Sequence, residues 1–181
     1  MYLKDIVNKL KNIFLDVDFS YYFDTSSMRP DGGLLYMVTK SGQKYPILIT
    51  EMKNQGTNDL RVKEGKKKQA KGNAIERLGK NVIGFRTALI NESIFPFVCF
   101  GDGCDFAQDS SILDRVITIS MFGKLNISRI HNEGPNGIFN RGSFYFREKL
   151  WTPNEMAKIM TDIAEKSVYY YFSKYGEEDF K

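Results

Sequence analysis

The sequence predicts an α/β fold, a mixed central β-sheet flanked by helices, and three observations carry that prediction. Apolar residues recur at helical spacing near both ends of the chain, over residues 3–15 and 153–175. Between them lie short apolar runs rich in β-branched and aromatic residues, bounded by turn-forming residues. The elements then read α-β-β-α-β-β-α, an order that lays helices against a sheet. With 181 residues, 42% of them hydrophobic and 27% charged, the chain suits one globular domain with a sizeable core.

Each element has its own justification. Leu3, Ile6, Val7, Leu10, Ile13 and Phe14 form one apolar stripe, an amphipathic first helix. GLLYMVT (33–39) and YPILITEM (45–52) read as strands, and the turn KSGQK joins them into a β-hairpin. Residues 57–72 are polar, basic and rich in Gly and Lys, and read as an arm. A helix is expected from Asn73 to about Asn91, with Ala74, Leu78, Val82 and Phe85 along one side. FPFVCFGDG (95–103) is a buried strand ended by a Gly-rich turn, and RVITISMFG (115–123) reads as another. Residues 126–150 show little periodicity and are expected to form a long loop with one strand near 143–147.

TPNE (152–155) is a capping box, with Thr152 as N-cap, Pro153 at the first helical position and Glu155 reaching back. Trp151 and Met156 can form the accompanying hydrophobic staple. Met156, Ile159, Met160, Ile163 and Val168 continue that helix to about Tyr175, and their stripe reads as core packing. No internal repeat or linker interrupts the chain, so 1–181 is expected to be a single domain with a basic arm at about 55–72.

Composition narrows the function. The start MYLKDIVNKL has no apolar core of a secretory signal, and no run approaches a membrane span, so no membrane partner is expected. Cys99 and Cys104 are too few for a disulfide framework and poorly composed for zinc, and they suit a reducing cytosol. Net charge is +4, but eight Lys or Arg against three acids between Asn54 and Lys80 make that window +5 and leave −1 elsewhere. A basic segment on a near-neutral body suits a polyanion binder. A solvated helix face would show the same charge run.

The chemistry gathers at the end of the second strand. Side chains alternate along a strand, so Ile47, Ile49, Glu51 and Lys53 are expected to share one face. The partner strand begins just after Pro30-Asp31-Gly32, and in a hairpin its start lies beside the end of the next strand. Asp31, Glu51 and Lys53 should therefore converge at one end of the sheet. Two carboxylates and an ammonium there suit a hard divalent cation beside a proton-handling group, with the remaining positions left to water and a substrate phosphate. A nuclease built on two histidines is excluded, since His131 is the only one. The same three residues could also form an ordinary ion pair on the rim of a hairpin.

SSMRPDGG (26–33), ILITEMKNQG (47–56), GNAIER (72–77) and FPFVCFGDG (95–103) occur in the order seen in EcoRI-type restriction endonucleases, and on these segments the chain resembles that family. The resemblance covers most of the chain, and GNAIER beside a PD…ExK pair is more specific than either motif alone. It implies the PD-(D/E)xK nuclease fold and a Mg²⁺-dependent homodimer in a prokaryotic cytoplasm. Such a dimer cuts double-stranded DNA at a palindrome with an inner AATT, leaving 5′-phosphate and 3′-hydroxyl ends. A functionally paired DNA methyltransferase, not bound, is implied as well.

By the same resemblance Asp31, Glu51 and the Met52 backbone carbonyl are metal ligands and Lys53 is the catalytic lysine. GNAIER enters the major groove: Asn73 and Arg77 hydrogen-bond adenines, Ala74 meets a thymine methyl, and Glu76 pairs with an arginine across the dimer. Asn also suits a bidentate contact with adenine N6 and N7, although a plain helix N-cap would equally use it. Gln55 is placed beside a base and Lys71 where relatives differ in reading the outer base pair. Lys66, Lys67 and Lys68 are expected on phosphates for a separate reason, since a flexible ammonium cluster carries charge but little geometry.

The chain departs from the family in beginning almost at its first helix and in a short, lysine-rich stretch between Gln55 and Gly72. The competing readings are a structure-selective or repair nuclease of the same fold, a DNA-binding module with a dead site, and a basic structural protein. GNAIER argues against the first and the intact Asp31, Glu51 and Lys53 against the second. The third leaves both motifs unexplained.

Overall fold

A four-stranded mixed sheet organises the chain. The computed structural model describes residues 1–54, 61–67, 73–108, 110–132 and 140–180, without the side chains of Asn54, Asn73, Ala74 and Glu76. Its main elements are α1 (Leu3–Ile13), β1 (Gly33–Val38), β2 (Lys44–Asn54), α2 (Asn73–Ala88), β3 (Phe97–Asp102), α3 (Ser111–Ile119), β4 (Ser143–Arg147) and α4 (Pro153–Tyr175). The strand order is β1-β2-β3-β4. β1 and β2 pair antiparallel, as a hairpin must, while β2–β3 and β3–β4 pair parallel. Parallel neighbours need a crossover, and α2 and α3 lie in those two connections.

This topology corrects the expected strand at 115–123. Residues Ser111–Ile119 form a helix whose N-cap, Ser110, accepts a hydrogen bond from the Ile112 amide. Ile112 and Val116 are buried and Ile119 packs beside them, a spacing of four and then three residues that presents one helix face to the core. Reading from Arg115 missed this because it left out the cap and Ile112. What remained, Val-Ile-Thr-Ile, favours a strand until a tertiary contact overrides it. The helix ends where Met121 and Phe122 adopt left-handed φ of 55° and 59°.

The sheet buries both faces, so β3 is buried at every position. One face packs Ile49, Phe97, Cys99 and Phe144 against Leu78, Val82 and Phe85 of α2 and Val116 of α3. The other packs Tyr45, Leu48, Val98 and Phe100 against Ile163 and Tyr171 of α4. Ile47 belongs to this second face, contrary to the strict alternation expected of it. The register shift opposite Leu35/Tyr36 inserts one residue into β2, which resets the alternation before Ile49. The free edge of β4 is covered by Asn126, whose amide pairs with Phe144 and whose side chain bonds both backbone groups of Phe146.

The capping box of α4 forms as expected. Arg147 adds two hydrogen bonds to Glu155, at 3.0 and 2.6 Å, while its guanidinium lies over the Trp151 ring. The Arg147 guanidinium and then the Thr152 backbone and hydroxyl hold the Glu155 carboxyl down at about 2. A depressed carboxylate stabilises the fold above its ordinary range of about 4.5, and that contribution fades as pH falls toward 2. Thr152→Ala should cost about 1 kcal/mol in urea unfolding at pH 7. Glu155→Gln should flatten the loss of stability between about pH 4.5 and about pH 2. An unchanged acid limb would show that this cluster contributes nothing to it. Among the described residues no helix is long and apolar enough to cross a membrane.

Candidate active site

At the C-terminal end of β2 the strand leaves the core, and its last residues meet the segment that leads into β1. Gly33 lies opposite Thr50, and the Gly32 amide extends the pairing by bonding the Thr50 carbonyl at 2.9 Å. A Cβ at Gly32 would stand 2.8 Å from that carbonyl oxygen and 2.6 Å from the Thr50 methyl, so only glycine allows this approach. The close approach sets Asp31 beside Glu51. The Asp31 amide donates to Glu51 Oε2 at 3.1 Å, and Lys53 Nζ donates to Asp31 Oδ2 at 3.0 Å and to Glu51 Oε1 at 2.5 Å. The three residues are thus in mutual contact across a separation of twenty residues in sequence. Met52, between the two, turns to the opposite face and packs on the α4 side.

Glu51 is fully buried, whereas the Asp31 side chain is 63% exposed. A buried carboxylate is tolerated only when its lone pairs are satisfied. Among the described residues Glu51 has three donors: Lys53, the Asp31 amide, and Asn81 of α2, whose Nδ2 lies 3.1 Å from Oε1. Burial alone would lower the Lys53 pKa, but its hydrogen bonds to Glu51 and Asp31 raise it above the ordinary lysine value. Lys53 therefore rests as a fully charged ammonium clamped between two carboxylates.

The donor set fits a hard cation. Mg²⁺ takes oxygen ligands, commonly one or two carboxylates with water completing the octahedron, and Asp31 and Glu51 supply that number. Cys99, a softer group, lies opposite Glu51 in the β2–β3 register. Burial pushes its thiol well above the ordinary range. Among the described residues no group of three or more His, Cys, Asp or Glu forms a closed metal site.

The family model described as restriction endonuclease EcoRI matches residues 1–116, a span that holds Asp31, Glu51, Lys53, Asn81 and all of GNAIER. The chain belongs to the EcoRI restriction endonuclease family. The type II restriction enzyme RsrI of Cereibacter sphaeroides is 30% identical to it, over 91% of this chain and 72% of that protein. The type II restriction enzyme EcoRI of Escherichia coli is 26% identical over the same shares.

For the other residues that the family resemblance singles out, the structure gives position more than contact. Asn73 opens α2, Ala74 and Glu76 follow in its first turns, and Arg77 is exposed. Lys66 is exposed and paired with Glu64 at 2.7 Å, and the Lys67 carbonyl accepts from Arg61 Nε at 2.7 Å. Gln55, Lys68 and Lys71 lie outside the described residues, as does much of the basic arm. Two participants escaped the sequence reading. Asn81 is a polar residue four positions after Arg77, on a helix read only for its apolar stripe. Met28 packs where Gly84 of α2 leaves room, three residues before Asp31.

Proposed function

We propose that this chain is a Mg²⁺-dependent type II restriction endonuclease that cuts double-stranded DNA within a palindrome centred on AATT, leaving 5′-phosphate ends. The observation that carries the proposal is the meeting of Asp31, Glu51 and Lys53 at one open end of the sheet in a chain of this family. Asp31, Glu51 and the Met52 carbonyl would hold the metal, which when bound supplies Lewis-acid stabilisation of the phosphate.

The chain's own residues do the rest. Glu51, fixed by three donors, presents a carboxylate that cannot swing away. Lys53 exchanges one of its carboxylate partners for a phosphate oxygen and offsets the charge that grows there during displacement. Its raised pKa keeps it a cation at neutral pH, so its part is electrostatic and hydrogen-bonding. Asp31, the exposed partner, is the one that substrate reaches first.

DNA recognition falls to the start of α2. Asn73 and Arg77 would read adenines, Ala74 a thymine methyl, and Glu76 would reach the partner protomer. Gln55 and Lys71 would contact bases, with Lys66, Lys67 and Lys68 on phosphates. A palindrome calls for a twofold axis, so the active species is a homodimer of single-domain protomers, with a methyltransferase protecting the host site. The expected compartment is the prokaryotic cytoplasm.

The test is plasmid cleavage with MgCl₂, followed by sequencing of the ends. Cuts should fall at AATT-centred palindromes with 5′-phosphates, and none should appear with chelator. Cutting scattered over sequence or at branched structures would favour the repair-nuclease reading and overturn this one.

A further inference from the structure

We propose that Asn81 is a positioning residue through which α2, the helix that opens with the base-reading segment, fixes the carboxylate of Glu51; the role rests on the functional reading above. Asn81 Nδ2 bonds Glu51 Oε1 at 3.1 Å, and Lys53 bonds the same oxygen. These two donors differ in one decisive respect. Lys53 carries a full positive charge that a phosphate will attract and a divalent cation at Glu51 will repel, so its hold on Glu51 changes when substrate binds. Asn81 is neutral and sits on a helix, so it holds the carboxylate plane without repelling a cation. An outer partner that orients a ligand in this way is typically worth 10–100-fold in metal affinity or activity.

A second contact ties the same helix to the other carboxylate. One turn further along α2, at Gly84, a Cβ would come within 2.1 Å of the Met28 sulfur. Met28 packs on the α2 side of the core and lies three residues before Asp31. The helix therefore sets Glu51 by a hydrogen bond and the Asp31 segment by packing. Arg77 and Asn81 lie four residues apart and share a helix side, and Asn73 is about 12 Å from Asn81 along the axis. One rigid element thus spans the distance from the base-reading end to the metal-holding end.

The test compares wild type, Asn81→Ala and Asn81→Gln in three measurements. These are single-turnover cleavage of an AATT-centred duplex across MgCl₂ concentrations, calorimetric binding of Mg²⁺ to the protein–duplex complex, and duplex binding without metal. Alanine is the better helix former, so Asn81→Ala should fold, with a thermal melt as control. Asn81→Ala is expected to slow cleavage about 10–100-fold and to raise the Mg²⁺ needed for half-saturation, in both cleavage and calorimetry. Its metal-free preference for AATT should stay within about twofold of wild type, a margin set by a residue that leaves the bases alone. Asn81→Gln, which keeps the amide, should recover part of the loss.

Three results would each overturn the assignment. One is cleavage and Mg²⁺ binding that match wild type in Asn81→Ala. Another is a lost metal-free AATT preference, which would make Asn81 a DNA reader. The third is Asn81→Gln as slow as Asn81→Ala, which would trace the loss to shape. Failure of the underlying reading looks different: wild type itself would then neither bind Mg²⁺ on the duplex nor cut it, and this role would fall with it.

Discussion

Asp31→Ala, Glu51→Ala and Lys53→Ala are each expected to lower cleavage below detection, by at least about 10²–10³-fold, the usual cost of losing one fixed electrostatic partner of a transition state. Their other effects should differ, because the three side chains are buried to different depths. Asp31 is 63% exposed, so its loss should barely move the melting temperature and gives the cleanest knock-out. Glu51 and Lys53 side chains are 1% and 11% exposed. Removing Lys53 leaves a buried carboxylate with two neutral donors among the described residues, and breaking a buried pair from one side costs about 3–5 kcal/mol. Lys53→Ala must therefore be assayed well below its own melting temperature. Metal-free DNA binding should hold or tighten in the two carboxylate variants, since each removes a charge that repels phosphate. Near-normal cleavage by any of the three would sink the site assignment.

The hairpin and the meeting of Asp31, Glu51 and Lys53 at its end were legible because they depend on local rules. Strand alternation and antiparallel pairing bring Asp31 to Glu51 and Lys53 from sequence position alone, and Gly32 is the residue that allows the close approach. The capping box at Thr152 was legible for the same reason. What was not legible depends on tertiary context. The bulge that moves Ile47 to the other face has no sequence mark beyond Pro46. The helix at Ser111–Ile119 is β-branched along most of its length and is held by packing on α2, not by propensity. The contacts of Glu92 with Lys174, Tyr170 and Tyr175, which fasten the end of α4, join residues about eighty positions apart that no motif connects. Asn81 falls between these cases. Its place four residues after Arg77 was visible, but its partner was not, because nothing in the sequence fixes which helix side faces the open end of β2.

Asn73→Ala is expected to strip the enzyme of its preference for AATT while leaving nonspecific binding nearly intact. A bidentate contact with adenine carries about 1–3 kcal/mol of discrimination, and a twofold dimer makes it twice. The combined loss of about 2–6 kcal/mol corresponds to cognate binding weakened by about 30-fold to 10⁴-fold. Asn73 is also the first residue of α2, and short polar residues are favoured at helix starts, so Asn73→Ala tests the helix end as well as the base contact. Asn73→Ser separates the two roles, because serine caps as well as asparagine but cannot bond two adenine atoms at once. The serine variant should melt like wild type and still bind AATT and scrambled duplexes with similar affinity. Arg77→Lys should lose affinity as well, since an ammonium cannot reproduce a planar fork of donors. Competition titrations at one salt concentration check all three variants, because the phosphate contribution shifts with salt for every sequence alike. A serine variant that kept the full AATT preference would assign Asn73 to the helix and leave base reading to other residues. A wild type that bound both duplexes equally would remove the restriction-enzyme reading even with the metal site intact.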